Sequence, residues 1–285
     1  MPEEKAPAKV NLFLHVTGRR PNGFHTLDSL VVFADVGDRL TATCAPELRL
    51  VVDGPFAPDI SAGPDNLVLR AAEALAQTAG VASGASLRLT KNLPHSAGLG
   101  GGSADAAAAL RLLRRIWKFP DRETESLRLA AGLGADVPVC LMSQPTRMSG
   151  IGEVLHVAPA LPAFGLCLVN PGVALPTKAV FEAWTGTFSE PAIIPISWAD
   201  AAALAACLAG LRNDLEVPAI TLCPTIRSVL DALGAEPDCL LARMSGSGAT
   251  CFGLFPDTAS AERAALRILR PDWWCWGGGL AALTC

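Results

Sequence analysis

A glycine-rich loop at residues 94–103, PHSAGLGGGS, has the composition of an anion-binding site. Its glycines, Gly98, Gly100, Gly101 and Gly102, can adopt positive φ and let the backbone approach a ligand closely. The alanine-rich residues that follow predict a helix, whose free N–H groups and positive dipole end would face the same anion. This combination favours phosphate binding over the alternative, a flexible turn before an ordinary buried helix.

The helix after this loop is predicted from capping and periodicity. Ser103 or a neighbour is expected to be its N-cap, with Asp105 in the first turn. The loop does not match a P-loop, which would have Gly-Lys-Ser/Thr where this chain has Gly-Ser-Ala, nor a dinucleotide fingerprint, which would replace Ser103 by glycine. A different nucleotide-binding family is therefore indicated. The apolar face of the helix consists of Ala106, Leu110, Leu113 and Trp117.

Two ionisable residues have neighbours suited to phosphoryl transfer. Lys9 lies among apolar residues in the segment PAKVNL, where it could stabilise a hydroxyl that becomes an alkoxide, or be a solvated charge at the start of a strand. Asp136 follows a glycine pair and precedes Val137 and Pro138. It could accept the proton of an attacking hydroxyl beside bound phosphates, or cap a short helix.

Two further segments could contact a substrate. Phe24 and His25 follow a Pro-Asn-Gly turn and could stack on and hydrogen-bond a base or sugar, or form a surface aromatic pair. A second glycine turn at residues 245–248, SGSG, could bring backbone N–H groups to the site or be a plain hairpin.

The composition limits the class of protein. The 285 residues are 51% hydrophobic, which is enough for one large or two ordinary domains. A net charge of -4 gives no basic footprint for nucleic acid. The nine cysteines, without a CxxC pair, predict reduced core residues. The N-terminal segment has no signal-peptide pattern, and prolines interrupt the charge-free residues 157–177, so we expect a buried strand there and no membrane span.

The order of elements predicts an α+β fold, with strands paired in sheets and helices on one side. Predicted strands lie at residues 9–16, 27–33, 39–44, 48–52, 85–90, 164–169, 239–244 and 250–255, and predicted helices at 65–79, after the glycine-rich loop, and at 122–131, 177–184, 198–211, 225–233 and 259–269. Pro120-Asp121 is expected to start the helix at 122–131.

Four segments, in this order and spacing, resemble those of the GHMP kinases, and the match runs over almost the full chain. More narrowly, residues 9–25 are similar to the branch of this family that acts on 4-diphosphocytidyl-2-C-methyl-D-erythritol. The loop alone specifies only the superfamily, whereas the N-terminal and GADVP segments specify the branch. The four segments are PAKVNL at 7–12, the loop and its helix at 94–108, GADVP at 134–138 and MSGSGA at 244–249.

The resemblance implies a two-domain α+β kinase: an N-terminal domain like that of ribosomal protein S5 at residues 1–156, and a ferredoxin-like C-terminal domain at 157–285. It implies ATP- and Mg²⁺-dependent phosphorylation of the 2-hydroxyl of that compound, on the non-mevalonate route to isoprenoid and terpenoid precursors. We expect a cytoplasmic monomer or weak homodimer without nucleic-acid or membrane partners. The alternatives are another small-molecule kinase of the family, of mevalonate or homoserine type, and a non-catalytic nucleotide-binding regulator.

The same resemblance assigns roles to individual residues. Lys9 and Asp136 would be catalytic, and Ser103 is the candidate for a magnesium contact. The family commonly has tyrosine where Phe24 stands, so stacking is kept but a hydroxyl is lost; it commonly has serine and asparagine at Ala104 and Asp105. ATP would contact Asn66, Lys91, Pro94, His95, Ser96, Ala97, Gly98, Leu99, Gly100, Gly101, Gly102 and Ser103. The second substrate would contact Asn11, Phe24, His25, Thr177, Gly246, Ser247 and Gly248.

Overall fold

The computed structural model of the chain describes residues 1–81, 84–120 and 122–282. The predicted helix start at Asp121 and the last three residues of the predicted C-terminal domain, 283–285, lie outside the described residues. The chain divides into two compact units that alternate along the sequence. Unit 1 comprises Met1–Ala8, Gly37–His95 and Gly100–Ser143, and unit 2 comprises Lys9–Val36, Ser96–Leu99 and Gln144–Cys285.

The described residues form strands and helices that alternate along the chain. The strands are β1 Glu3–Arg19, β2 His25–Ala45, β3 Arg49–Asp53, β4 Gly84–Thr90, β5 Thr146–Gly150, β6 Val154–Val157, β7 Gly165–Asn170, β8 Leu241–Met244, β9 Cys251–Phe255 and β10 Trp274–Gly278. The helices are α1 Leu67–Ala79, α2 Gly101–Ile116, α3 Glu123–Leu133, α4 Val137–Met142, α5 Thr177–Ala183, α6 Ala201–Ala209, α7 Glu216–Leu222, α8 Thr225–Gly234 and α9 Thr258–Ile268, with a 3-10 turn at Ala57–Asp59.

Unit 1 is built on the second half of β2. Residues 39–45 of β2 pair antiparallel with β4, and β3 pairs parallel with β4. The parallel pair needs a crossover, which α1 provides. Strand β4 buries alternate residues (Ala85, Leu87 and Leu89), so one face of this sheet faces the core. Helix α2 packs against both α1 and α4 and buries most of its alanines.

Unit 2 contains the first half of β2, whose residues 27–31 pair antiparallel with β5, and β5 in turn pairs with β6. A separate antiparallel sheet has the order β10-β7-β9-β8. Its inner strands, β7 and β9, are buried at every position, and α8 and α9 pack on this sheet. Phe255, Ile226 and Val229 are among the residues of the hydrophobic core that holds this unit together.

The α+β class is confirmed, and most predicted elements are found, with three kinds of error. The strands predicted at 27–33 and 39–44 are one continuous strand, β2, because residues 34–38 stay extended. The helix predicted at 198–211 is limited to Ala201–Ala209, since Asp200 caps it and Gly210 ends it. The short elements α4, α7, β6 and β10 were not predicted.

Two expectations about residue environments can be compared with the fold. The buried strand expected within residues 157–177 is confirmed as β7. Across the described parts of the chain, no helix has both the length and the apolar character to cross a membrane. Four of the cysteines are buried as expected (Cys140, Cys167, Cys223 and Cys251), but Cys44 is exposed.

The predicted boundary between residues 156 and 157 does not coincide with the two units. Residues 144–156 group with the C-terminal part of the chain, together with Lys9–Val36. The domain boundary stays a prediction.

Candidate active site

The middle of the glycine-rich loop, Ser96–Leu99, belongs to unit 2 and lies against the second glycine turn. The backbone N–H of Thr250 donates to the carbonyl of Ala97 at 3.1 Å. The hydroxyl of Ser245 donates to the carbonyl of Gly98 at 3.0 Å. The two glycine segments that the sequence predicts for one site are therefore in direct contact.

Gly98 is required at this contact by its conformation and by the available space. Its φ is +74°, in the left-handed region that side chains disfavour. A Cβ built on Gly98 would lie 2.3 Å from the carbonyl oxygen of Ser245. Any larger residue would push the loop away from the second glycine turn.

Strand β1 brings Lys9 and Asn11 to the same part of unit 2, on one face of the strand because they are two residues apart. The backbone N–H of Lys9 donates to the carbonyl of Leu99 at 2.9 Å, and that of Asn11 donates to the hydroxyl of Ser245 at 3.1 Å. The side-chain Nδ2 of Asn11 donates to the hydroxyl of Ser29 at 2.8 Å. Lys9 and Asn11 thus hold the loop and the second glycine turn to β1.

The side-chain amide oxygen of Asn11, Oδ1, is buried and has no hydrogen-bond partner among the described residues. A buried carbonyl oxygen without a partner costs free energy. It fits a site where a ligand hydroxyl or amine donates the missing hydrogen bond.

Helix α5 joins this group through its first residue. The hydroxyl Oγ1 of Thr177 lies 2.9 Å from the hydroxyl of Ser247 in the second glycine turn. Just before the helix, the N–H of Leu175 donates to the carbonyl of Ser96 at 3.1 Å. Thr177, Ser247 and the loop therefore form one connected set of polar groups in unit 2.

An aromatic group surrounds His25. Its imidazole stacks on the ring of Phe181, with centroids 5.1 Å apart and an interplanar angle of 15°, and it meets the edge of Trp184 at 5.5 Å. Burial, and then the positive charge of Arg19, lower the pKa of His25 below its ordinary value of 6.5. A neutral imidazole with one donor and one acceptor nitrogen is suited to the edge of a nucleobase.

Phe24 does not belong to this aromatic group. Its side chain is 58% exposed, in the turn that leads from β1 to β2. The turn is closed by the N–H of Arg20, which donates to the carbonyl of Phe24 at 2.8 Å, and Arg20 also forms an ion pair with Glu153. The exposed ring is accessible for stacking.

In unit 1, the second part of the loop forms the N-terminus of α2. The helix begins at Gly101, and its N-cap is Gly100, with a φ of 63°. Ser103 lies in the first turn, so the prediction that Ser103 or a neighbour caps the helix is wrong, because the glycines continue directly into it. The prediction that Asp105 lies in the first turn is also wrong, since that turn holds no acidic residue. The first N–H groups of a helix have no intrahelical acceptor. Those of Gly101, Gly102 and Ser103 give this end of α2 the character of an anion site.

An ion-pair cluster formed by Asp38, Lys91 and Asp105 lies beside the N-terminal end of α2. The ammonium group of Lys91 pairs with Asp38, and it lies 2.6 Å from Oδ2 of Asp105. All three side chains are at most 5% exposed. Burial is the main cause that raises the pKa of Asp105 to about 8, with the charge of Asp38 in the same direction and that of Lys91 opposing it.

Asp136 lies immediately before α4. It is half-buried, and its side chain makes no capping hydrogen bond, so the capping role is not the one it performs. Arg111 of α2 donates to the carbonyls of Cys140 and Leu141 at 2.9 and 3.2 Å. Since α4 is thereby fixed to α2, the position of Asp136 within unit 1 is set by the helix that begins with the glycines.

Asn66 is the N-cap of α1. Its Oδ1 accepts from the N–H of Val68 at 2.9 Å, and its Nδ2 donates to the carbonyl of Ser61 at 2.6 Å. These hydrogen bonds give Asn66 a structural role. Its assignment to the adenine site stays a prediction.

Among the residues that the structure describes, no group of three His, Cys, Asp or Glu side chains could hold a metal ion. Mg²⁺ does not need such a group, because it keeps several waters and binds substrate phosphates with one or two protein oxygens. The hydroxyl of Ser103 in the first turn of α2 fits that kind of contact.

Family models match the chain in two places. The model of the GHMP kinases N terminal domain matches residues 66–144, and that of the GHMP kinases C terminal matches residues 196–271. Together they cover more than half of the chain. The chain belongs to the GHMP kinase family.

Individual members of the GHMP kinase family extend this match over nearly the full length. The chain is 54% identical over 272 residues to the 4-diphosphocytidyl-2-C-methyl-D-erythritol kinase of Paramagnetospirillum magneticum, covering 95% of both chains. A crystal structure of a 4-(cytidine 5'-diphospho)-2C-methyl-D-erythritol kinase is 35% identical, with a TM-score of 0.80 and coverage of 98% of this chain and 99% of that one.

A more distant structural neighbour shows the same fold. The homoserine kinase from Cytophaga hutchinsonii is 17% identical, with a TM-score of 0.68 over 98% of this chain and 95% of that one. At this identity the likeness shows the GHMP kinase fold alone. The resemblance to the family and its two-domain α+β fold are thus confirmed.

The structure brings some predicted site residues of this GHMP kinase together within each unit. In unit 2 these are Lys9, Asn11, Ser96, Ala97, Gly98, Leu99, Thr177, Gly246, Ser247 and Gly248, with Phe24 and His25 at the adjoining strand end. In unit 1, Gly100, Gly101, Gly102 and Ser103 share the end of α2, while Pro94 and His95 precede it in the chain. The ammonium group of Lys91 is engaged by two carboxylates, so its predicted adenine contact stays a prediction.

Sequence reasoning missed Phe181 and Trp184. Both residues follow Thr177 on α5 or at its end, four and seven positions later, which places the three on one helical face. This spacing was visible in the sequence. What was not visible is that the face packs against His25.

Proposed function

We propose that this GHMP kinase transfers the γ-phosphoryl group of ATP to the 2-hydroxyl of 4-diphosphocytidyl-2-C-methyl-D-erythritol. GHMP kinases are ATP-dependent phosphotransferases, and the full-length similarity to kinases of this named substrate supports the choice of acceptor. The observation that carries the proposal in the structure is the aromatic group around His25, in the same unit as Lys9 and Asn11.

ATP would be bound through backbone N–H groups. The end of α2 offers those of Gly101, Gly102 and Ser103, and the helix dipole adds a positive partial charge there. A triphosphate needs such donors because the chain has no lysine at the end of its loop. Mg²⁺, when bound, would neutralise phosphate charge, with the Ser103 hydroxyl as its protein contact.

The chemistry assigned to the protein is positioning and proton acceptance. We assign to Asp136 the orientation of the 2-hydroxyl and the acceptance of its proton as the new P–O bond forms. We assign to Lys9 the stabilisation of negative charge on the acceptor oxygen. Phosphoryl transfer requires little covalent chemistry from the protein, so we assign no covalent intermediate to either residue.

The acceptor would be recognised by its cytosine and by its hydroxyl groups. His25 offers a neutral imidazole to the cytosine edge, with Phe181 and Trp184 fixing the ring plane, and Phe24 offers a face for stacking. The unpartnered Oδ1 of Asn11 accepts a hydrogen bond from a substrate hydroxyl or amine. We further propose a cytoplasmic monomer or weak homodimer, in the non-mevalonate route to isoprenoid precursors.

Identification of the product tests this assignment. Incubation with ATP and 4-diphosphocytidyl-2-C-methyl-D-erythritol should yield ADP and a product with one added phosphate, whose phosphorus–carbon coupling places it at the tertiary carbon that bears the 2-hydroxyl. A phosphate on any other hydroxyl, or ADP release without a phosphorylated product, would refute the proposed acceptor site.

A further inference from the structure

The ion-pair cluster of Asp38, Lys91 and Asp105 has no role in the chemistry described above, although burying three ionisable side chains is costly. The ion pairs of Lys91 with the two carboxylates offset part of the free energy needed to bury these charges. It leaves Oδ1 of Asp105 buried without a hydrogen-bond partner among the described residues. In some proteins a buried ion pair of this kind specifies a geometry instead of adding stability.

Each member of the cluster comes from a different element of unit 1. Asp38 lies on β2, Lys91 directly follows β4, and Asp105 lies on α2. The glycine-rich loop runs from the end of β4 to the start of α2, so Lys91 and Asp105 lie just outside its two ends. The cluster therefore links the chain just before the glycine-rich loop to the helix that follows it.

Asp38 fixes the first of these points through the backbone. Its Oδ1 accepts from the N–H of Asn92 at 2.6 Å and from the N–H of Leu93 at 2.9 Å, while its Oδ2 pairs with Lys91. Lys91, Asn92 and Leu93 immediately precede the loop. The carboxylate of Asp38 thus binds two backbone N–H groups and one side-chain ammonium group just before Pro94.

The second point is the first turn of α2, which sits directly on the cluster. A Cβ built on Gly101 would lie 3.5 Å from Nζ of Lys91 and 3.7 Å from Oδ2 of Asp38. The hydrogen bond between Lys91 and Asp105, at 2.6 Å, adds a second contact one residue beyond that turn. The N–H groups of residues 101–103 are therefore placed by a contact with the cluster.

We propose that Asp105, acting through Lys91 and Asp38, is a positioning residue for ATP that fixes the two ends of the glycine-rich loop. This inference rests on the proposed ATP-dependent kinase function. The effect is geometric: Lys91 requires an oxygen acceptor at position 105, and an asparagine would supply one. Removing the acceptor would loosen the N-terminal end of α2 while leaving the Lys91–Asp38 pair intact.

Three variants and one control test the proposal, with the KM for ATP, the Kd for ADP by calorimetry and the KM for 4-diphosphocytidyl-2-C-methyl-D-erythritol as readouts. Asp105→Ala should raise the KM for ATP and the Kd for ADP about tenfold, since small displacements of binding groups are costly. It should leave the KM for the acceptor unchanged, because the acceptor contacts proposed above are made by residues of unit 2. Asp105→Asn should restore both nucleotide constants, and Asp38→Asn, which loses one acceptor oxygen, should raise them.

Glu4→Ala is the matched control. Glu4 is 8% exposed and pairs with Arg111 and Arg115 on the same helix α2, but away from the glycine-rich loop. It should lower the Tm without changing either nucleotide constant. The proposal is overturned if Asp105→Ala lowers the Tm but leaves both nucleotide constants unchanged, or if Glu4→Ala raises them equally.

The remaining outcomes are also decisive. If Asp105→Ala does not fold, Asp38→Asn decides, and unchanged nucleotide constants in that variant overturn the proposal. Wild-type protein that binds ADP but does not phosphorylate the acceptor would refute the proposed function, whereas the calorimetric comparison would still decide the role of Asp105.

Discussion

At the scale of single residues, two properties of the site follow from local chemistry. Asp136 stands before a short helix without capping it, and its position is set because α4 is fixed to α2 by Arg111. His25 stacks on Phe181 and meets the edge of Trp184, and its pKa lies below the ordinary histidine value. Each property leads to a prediction that kinetics can check.

Replacing Asp136 by asparagine should remove the proton acceptor while keeping the shape. We expect kcat to fall about 10²–10⁴-fold, the usual contribution of general base catalysis. ATP affinity should change little, because its binding is assigned to backbone N–H groups. Rates of ADP formation at saturating substrates, with calorimetric titration of ADP, measure the two effects. Turnover near the wild-type rate would contradict the role of Asp136.

The protonation of His25 should limit recognition of the cytidine substrate only at acid pH. Because its folded-state pKa lies below 6.5, the neutral imidazole persists at neutral pH and is lost as the pH falls through that lowered value. We expect kcat/KM for the acceptor to be flat above pH 6.5 and to decline below it. His25→Gln should lower kcat/KM and abolish this acid limb. An acid limb that survives in His25→Gln belongs to another group.

Phe181 should contribute to acceptor binding, since it fixes the plane of His25 by stacking. Phe181→Leu keeps an apolar side chain and removes the ring, and it should raise the KM for the acceptor about two- to tenfold, as loss of an aromatic contact costs about 0.5–1.5 kcal/mol beyond burial. The KM for ATP should not change. Phe188→Leu is the control, since Phe188 contacts Trp184 but not His25 and is 52% exposed. Equal effects in both variants would contradict a specific role of Phe181.

At the scale of elements, the loops are constrained more tightly than the helices they join. Gly98 has a positive φ, and it lies against the backbone of the second glycine turn. Gly132, within α3, adopts an ordinary helical conformation, and a Cβ added there would meet no heavy atom of the described residues within 4 Å. The same substitution therefore has opposite expected effects at the two glycines.

Gly98→Ala should destabilise the protein by about 1–2 kcal/mol from the left-handed backbone alone, with more from the contact with Ser245. Gly132→Ala should instead stabilise it by about 0.5–1 kcal/mol, because alanine is the better helix former. Urea denaturation of both variants measures the difference. A Gly98→Ala variant as stable as Gly132→Ala would contradict the close contact between the loop and the second glycine turn.

The elements also show how far the sequence predicts the structure. Helix α1, with its Asn66 cap and Gly80 end, and strand β4, with alternating burial, follow from local patterns, and both are found close to where they are predicted. The cap assigned to Ser103 is wrong because the glycine pattern gives no sign that Gly101 is already helical. The contact of Phe181 with His25 joins residues far apart in the chain, so no local pattern could predict it.

At the scale of the whole molecule, the two compact units do not follow the order of the chain. Strands β1 and β2 each contribute residues to both units, and the glycine-rich loop contributes Ser96–Leu99 to unit 2 and its two ends to unit 1. The predicted boundary between residues 156 and 157 divides the chain once, whereas these units alternate along it, and the boundary stays a prediction. The family and the full-length similarity to kinases of one cytidine-bearing substrate nevertheless agree with the motifs from which the resemblance was drawn.

The central claim is that this GHMP kinase uses ATP to phosphorylate 4-diphosphocytidyl-2-C-methyl-D-erythritol. Its most direct test is the initial rate of ADP formation, with ATP and Mg²⁺, on that compound, on mevalonate and on homoserine. We predict a kcat/KM for the cytidine compound at least about 10³-fold above the other two, since an enzyme that hydrogen-bonds part of its substrate strongly rejects molecules lacking it. Preferential turnover of mevalonate or homoserine, or ADP binding without turnover of any of the three, would contradict it.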